Sequence, residues 1–341
     1  MPSTLSPLRL GGVAIDFPVV MAALSGYGDW PARRVARRLG ASYAVAEVML
    51  DRFVVEVGRG RKARRYLRVE DDDHPCGAQL MGAVPEEFAP AARRLVEAGF
   101  DVIDINFGCP VKKVLGRCRG GFLLSDPPTA LAIVGRVRDA LPDSVPVTVK
   151  MRRGLDERPE STERFFTIFE GVFRLGAAAV TVHGRTVRQG YQGISSWDFL
   201  RALKASYPQC TVLGSGDLFT AADCLRMMAE TGMDGVTAAR GAIGNPWLYR
   251  QARALAAGEG AQPPSLAEQG EVIGEHYRLA EEVYGPRHAC RVMRKFGIRY
   301  AELHPQPAEV RAAFIAVAEP ADYRRVLRRY YGGEKVTSVT T

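Results

Sequence analysis

A TIM barrel followed by a small C-terminal helical bundle is the fold class the sequence predicts, and three observations predict it. Short apolar runs alternate with helical patterns from residue 19 to residue 241; nearly every run ends on a polar group; and beyond a Gly-, Ala- and Pro-rich stretch the pattern turns to helix alone. Alternating β and α elements imply a parallel sheet, because parallel strands need crossovers. Eight such units in about 240 residues match the size and count of a (β/α)8 barrel. A doubly wound sheet is disfavoured, since no G-x-G-x-x-G follows the first run and no Walker loop occurs.

Residues 19–24 (VVMAAL) form the first strand, which breaks into the small-residue loop 25–29. Pro31 then opens a helix with Val35, Ala36 and Leu39 at helical spacing and Gly40 as its stop. Residues 43–50 are the second strand, followed by the basic run 59–65 (RGRKARR) and the acidic run 70–73. Strand 75–82 leads to helix 85–98, closed by Gly99. The rhythm repeats as strand 101–106 and helix 128–140, strand 145–151 and helix 162–175, strand 179–183 and helix 197–205, strand 210–214 and helix 220–230, and strand 235–239. These patterns bound a barrel at 1–255, a linker at 256–265, a helical domain at 266–332 and a loose tail at 333–341.

The chain has 341 residues, with 46 Lys and Arg against 38 Asp and Glu, a net charge of +8. That bias suggests a polyanionic partner. The six cysteines have neither CxxC spacing nor a zinc-like arrangement with histidine, so free thiols in a reducing cytoplasm and no metal are expected. The N-terminus lacks the layout of a signal peptide, and no apolar run approaches the ~20 residues that span a bilayer. A monomer without membrane attachment is the expectation.

Catalytic groups of barrels come from the C-terminal ends of the strands. Here those ends offer Ala22-Ala23-Leu24, Glu47, Gln79, Asn106 with Cys109, Lys150 with Arg152, His183 with Arg185, Ser215-Gly216-Asp217, and Ala239-Arg240-Gly241. Such a ring suits a large polar ligand spread over the barrel mouth. Asp217 also reads as a turn residue or helix cap. The stretch DVIDINFGCPVKKV (101–114) is the most informative: a buried-type strand finished by an amide, a thiol and a proline, with Lys112 and Lys113 beyond. Taken alone it fits an inert buried cysteine equally well.

Together, DINFGCPVKKV (104–114), VTVKMRRG (147–154), TVHGRT (181–186), GSGDL (214–218), AARGAIGNPW (238–247) and MRKFGIRY (293–300) resemble the tRNA-dihydrouridine synthases, over roughly residues 15–330. The resemblance implies FMN as cofactor and NADPH as reductant, with NADH the other candidate. It implies that Cys109 protonates uracil C5. It places Ala22, Ala23, Leu24, Gln79, Asn106, Lys150, His183, Ser215, Gly216, Asp217, Ala239, Arg240 and Gly241 at the cofactor. Lys112, Lys113, Arg152, Arg153, Arg294 and Lys295 are expected to bind tRNA. The arginine clusters 33–38, 59–65, 117–119 and 324–329 are further candidates for phosphate contact. Two positions depart from the family pattern, Ala23 for a proline and Ser215 for an asparagine. Rival readings are a synthase acting on rRNA, a small-molecule FMN barrel of the dihydroorotate-dehydrogenase or ene-reductase kind, and an RNA-binding protein without catalysis.

Overall fold

The computed structural model describes residues 5, 7–58 and 60–332. The expected tail 333–341 and Arg59 lie outside the described residues. Eight parallel strands close into a barrel: β1 (Val19–Met21), β2 (Ala44–Leu50), β3 (Cys76–Met81), β4 (Val102–Phe107), β5 (Val147–Arg152), β6 (Ala179–His183), β7 (Val212–Ser215) and β8 (Gly235–Ala238), with β8 paired to both β7 and β1. Each expected strand is present, and helix ends agree within a few residues. Strands walled in on both faces read as near-continuous apolar runs, and all six residues of β3 are buried. The helices start on identifiable caps. Asp126 accepts from Thr129 N–H, Ser196 from Phe199 N–H, and Thr220 with Asp223 forms a reciprocal box.

Several elements escape the sequence pattern. An antiparallel hairpin, Leu8–Leu10 with Val13–Ile15, precedes the barrel. Its Leu8, Leu10 and Ile15 pack on Tyr43, Val102, Ala179 and Leu213, residues at or near the N-terminal ends of the strands. The hairpin therefore plugs the end of the barrel opposite the polar mouth. Short helices at Asp51–Glu56 and Arg61–Leu67 occupy the long connection from β2 to β3. The helix Leu248–Ala256 completes the outer ring. Residues 257–265 carry no helix or strand.

Four helices follow: Leu266–Tyr284, Pro286–Tyr300, Pro307–Ile315 and Pro320–Tyr331. Their core includes Tyr277 stacked on Tyr323 at 4.2 Å, with Phe314 beside it. This bundle rests on the start of the barrel. Tyr284 Oη donates to Asp29 Oδ2 at 2.5 Å, Arg38 pairs with Glu275, and Arg68 with Glu282. Tyr27 meets Phe296 edge to face at 5.1 Å. Gly244 lies in the same seam with φ of 73°; a Cβ there would stand 2.4 Å from the Arg299 carbonyl carbon, so the backbones touch only because the residue is glycine.

Candidate active site

Parallel register sets the polar strand ends into a ring. Gln79 pairs with Asp104, Asn106 with Lys150, Arg152 with His183, and His183 with Ser215. Cys109 follows β4 in a partly buried loop held from several sides. Asn106 Oδ1 accepts from the N–H groups of Gly108 and Cys109, each at 3.0 Å. The Cys109 carbonyl accepts from Gly121 N–H at 3.0 Å. Gly120, at φ of 58°, lies so close that an added Cβ would be 2.9 Å from Cys109 Cβ. Cys118, the other thiol near this stretch, is exposed at a left-handed position.

Arg152 is buried, with 3% of its surface exposed. Its guanidinium donates to the carbonyls of Gly108 (3.0 Å), Thr186 (2.8 Å) and Gly190 (2.7 Å). Burial lowers its pKa to about 10, helped by Arg185 and Arg240. This is not the solvent-facing phosphate contact that the arginine run suggests. Arg152 ties the cysteine loop to the loop after β6. Arg153 is similarly engaged, donating to Gly184 O at 2.9 Å and pairing with Glu157.

Lys150, near the C-terminal end of β5, lines the barrel interior with Gln79, Asp104 and Thr148, packed round by protein yet partly exposed. Among the described residues no hydrogen bond or ion pair engages its ammonium. Burial lowers its pKa to about 8, as does the charge of Arg152, against the pull of Asp104 and Cys109. His183 Nδ1 accepts from Arg185 N–H at 3.1 Å, which leaves the ring proton on Nε2. Burial and the cations Lys150, Arg152, Arg185 and Arg240 push the imidazole down to about 2, so it stays neutral. Its Nε2–H has no acceptor among the described residues. One unpartnered ammonium and one unpartnered N–H donor at the mouth suit an anionic, acceptor-rich ligand.

The turns after β7 and β8 supply a cradle for such a ligand. Gly216 has φ of 114°, and a Cβ there would strike Ser195 Oγ at 2.3 Å and approach His183 Cε1 at 3.2 Å. At Gly241 a Cβ would meet Leu218 O at 2.3 Å, so the turn Arg240–Ala242 nests on residues 218–219 only with glycine there. Ser215 is buried, and its carbonyl accepts from Gly184 N–H at 3.2 Å. Asp217 is committed to Arg185, whose Nη2 donates to both carboxylate oxygens at 2.8 Å, and to Ser195 N–H. Its carboxylate organises the loop after β6, and Arg240 stands 3.8 Å away. Among the described residues Arg185 Nη1 has no hydrogen-bond partner and is a buried donor. On the other side, Ala22 N–H donates to Ala238 O at 2.9 Å, Leu24 O accepts from the N–H of Tyr27 and Gly28, and Ala23 and Ala239 are partly exposed beside them.

The sequence reading passed over two buried residues, Asp104 and Thr148. Asp104 accepts from Thr148 Oγ1 and from Gln79 Nε2, both at 2.6 Å, and Gln79 Oε1 accepts from Asn106 Nδ2 at 2.7 Å. An acid in a buried strand pattern is itself the signal that could have found it.

The expected RNA residues divide. Lys112 and Lys113 are exposed on the short helix Lys112–Leu115, and Arg294 is exposed on the bundle. Lys295 instead sits in the seam between bundle and barrel, 4.7 Å from the Tyr27 ring centre, with burial lowering its pKa against the pull of Asp29 and Glu47. The cluster 33–38 is largely structural. Arg33 is buried in a 2.6 Å pair with Asp73, and Arg34 and Arg38 pair with Asp72 and Glu275. In the cluster 324–329, Arg324, Arg325 and Arg329 pair with Glu281, Asp322 and Glu309.

Among the described residues no group of His, Cys, Asp and Glu could hold a metal, and no helix is long and apolar enough to cross a membrane. Among solved structures, the fold is similar to morphinone reductase in complex with tetrahydroNAD (TM-score 0.57, 15% identity, 75% of this chain and 92% of that one). It is also similar to histamine dehydrogenase from Rhizobium sp. 4-9 (TM-score 0.59, 14% identity, 81% of this chain and 51% of that longer one). At the sequence level the chain is 33% identical over 325 residues to a probable tRNA-dihydrouridine synthase of Rickettsia conorii, covering 95% of this chain and 96% of that one. It is 34% identical over 327 residues to tRNA-dihydrouridine synthase B of Xanthomonas axonopodis pv. citri, covering 95% of each. The family model described as Dihydrouridine synthase (Dus) matches residues 20–332. With nearly the whole chain matched by the family model and by both relatives, this protein belongs to the dihydrouridine synthase family.

Proposed function

We propose that this chain is an FMN-dependent tRNA-dihydrouridine synthase, reduced by NADPH and acting as a cytoplasmic monomer. The observation that carries the reading is Cys109 within electrostatic reach of the unpartnered ammonium of Lys150, with the unpartnered Nε2–H of His183 on the next strand. Lys150 would hold the ring edge where negative charge gathers on reduction. Gln79 and Asn106 have donor and acceptor capacity left for the same edge. The N–H groups of the Gly216 and Gly241 turns, with Arg240, would hold the phosphate. Bound and reduced, FMN would supply hydride to C6 of a uracil.

Cys109 then gives its thiol proton to C5 from the opposite face, and the thiolate left behind takes a proton back from solvent. Asn106 and Arg152 keep that thiol in place by holding the backbone that leads into it, and Gly121 N–H holds the Cys109 carbonyl beyond it. The target base must leave its stack to reach the site. Lys112, Lys113 and Arg294 would grip phosphates around the opening, and the bundle would set which uridine enters.

Mapping dihydrouridine in tRNA and rRNA from cells with and without the gene tests the reading. Loss of one or more tRNA sites is the expected result. An unchanged tRNA map would overturn it, and a loss confined to rRNA would move the substrate there.

A further inference from the structure

The side chains Thr148, Asp104, Gln79 and Asn106 form a chain that ends on the backbone N–H groups of Gly108 and Cys109. Each link fixes the polarity of the next. A carboxylate can only accept, so Gln79 must turn its Nε2 to Asp104. That leaves Oε1 facing Asn106, which only Nδ2 of Asn106 can meet. Asn106 Oδ1 is then free to face the two N–H groups. Without Asp104, the Gln79–Asn106 pair is equally satisfied with both amides reversed. The reversed pair would point an N–H donor at the N–H groups of Gly108 and Cys109 and push the loop away. Asp104 is 5% exposed, Thr148 6% and Gln79 1%, so water offers no ready substitute for these partners.

We propose that Asp104 is a positioning residue: it sets the direction of this chain and thereby the seat of Cys109. The consequence for activity rests on Cys109 being the proton donor; the consequence for the loop does not.

Near-isosteric variants test the proposal while sparing the packing. In Thr148→Val the carboxylate still accepts only, so the direction survives. In Asp104→Asn the upstream end no longer fixes it, because the Thr148 hydroxyl can donate to the new amide oxygen or accept from its N–H, so either group can face Gln79. Alkylation of Cys109 by iodoacetamide is followed against pH, peptide by peptide, with Cys118 as internal reference and the circular-dichroism spectrum as the check on folding. We expect Asp104→Asn to change the Cys109 alkylation rate, and to lower uridine reduction, by about tenfold, Thr148→Val to change both far less, and the double variant to behave as Asp104→Asn. Cys118 should be unmoved. No effect of Asp104→Asn at Cys109, an equal effect of Thr148→Val, or equal shifts at Cys118, would overturn the proposal. If Cys109→Ala stays fully active while the Asp104→Asn change in alkylation persists, the proton-donor assignment falls and the positioning role stands.

Discussion

Cys109 is held through its backbone, so its replacement should leave the cofactor cradle untouched. Cys109→Ala is expected to retain FMN at the wild-type ratio and lose uridine reduction by about 10²- to 10⁴-fold, the usual share of a positioned acid. Single-turnover oxidation of the reduced enzyme by tRNA reads the loss directly. Full activity would move the proton donor elsewhere. Lys150 carries a second prediction at this scale. Its pKa is lowered to about 8, while His183 is already neutral throughout the working range. FMN affinity should therefore be steady up to about pH 8 and weaken above it, as the ammonium that faces the anion deprotonates. Lys150→Met should weaken binding below pH 8 and flatten that dependence. Equilibrium titration of FMN at pH 6.5 and pH 9 checks both. A pH profile unchanged by the substitution would remove Lys150 from the cofactor.

At the level of the element, the decisive contacts are close approaches of backbone. Gly241→Ala forces a methyl against Leu218 O and Phe219, lifting the turn after β8 from the loop after β7. Overpacking of this kind costs about 1–3 kcal/mol, so FMN should bind about tenfold or more weakly while the barrel stays folded. Flavin absorbance per protein against an unchanged circular-dichroism spectrum would show it. The bundle depends on a different contact. Tyr284→Phe removes the donor to the buried Asp29, whose other oxygen caps the helix Trp30–Arg38. A hydrogen bond to a charged group is worth about 1.5–3 kcal/mol, and the urea midpoint should fall accordingly. These elements differ in how far the sequence reveals them. Strand ends were legible because an apolar run that stops on Asn106, Lys150 or His183 is a poor way to finish a core. The hairpin Leu8–Leu10/Val13–Ile15 was not, because strands of three residues are too short for a period to declare itself. The fate of Arg33 was not legible either, since its partner Asp73 lies forty residues on and only the fold brings them together. Asp104 was visible as a residue but not as a role, because its meaning comes from Thr148 and Gln79 on neighbouring strands.

Over the whole molecule, a net charge of +8 says less about RNA than the distribution of its cations does. Many arginines already have partners within the chain: Arg33 on buried Asp73 and Arg152 on buried backbone carbonyls, and nearer the surface Arg38 on Glu275, Arg68 on Glu282 and Arg250 on Glu268. Lys112 and Lys113 differ. They are exposed, they stand three and four residues after Cys109, and among the described residues they have no ion-pair partner. Each phosphate neutralised in a single-stranded segment adds about 0.7 to the slope of log affinity against log salt, and about 0.9 in a duplex. Replacing both lysines by glutamine should therefore flatten the slope for tRNA by about 1.4–1.8. FMN content and the NADPH-driven reduction of FMN should not change, because neither lysine faces the cradle. Arg152→Lys makes the contrasting case. It keeps the charge but cannot span the carbonyls of Gly108, Thr186 and Gly190. Its salt slope should match wild type while uridine reduction falls. If the lysine pair leaves the slope unchanged and Arg152→Lys lowers it, the phosphate path runs through the mouth itself and the exposed helix after Cys109 is a bystander.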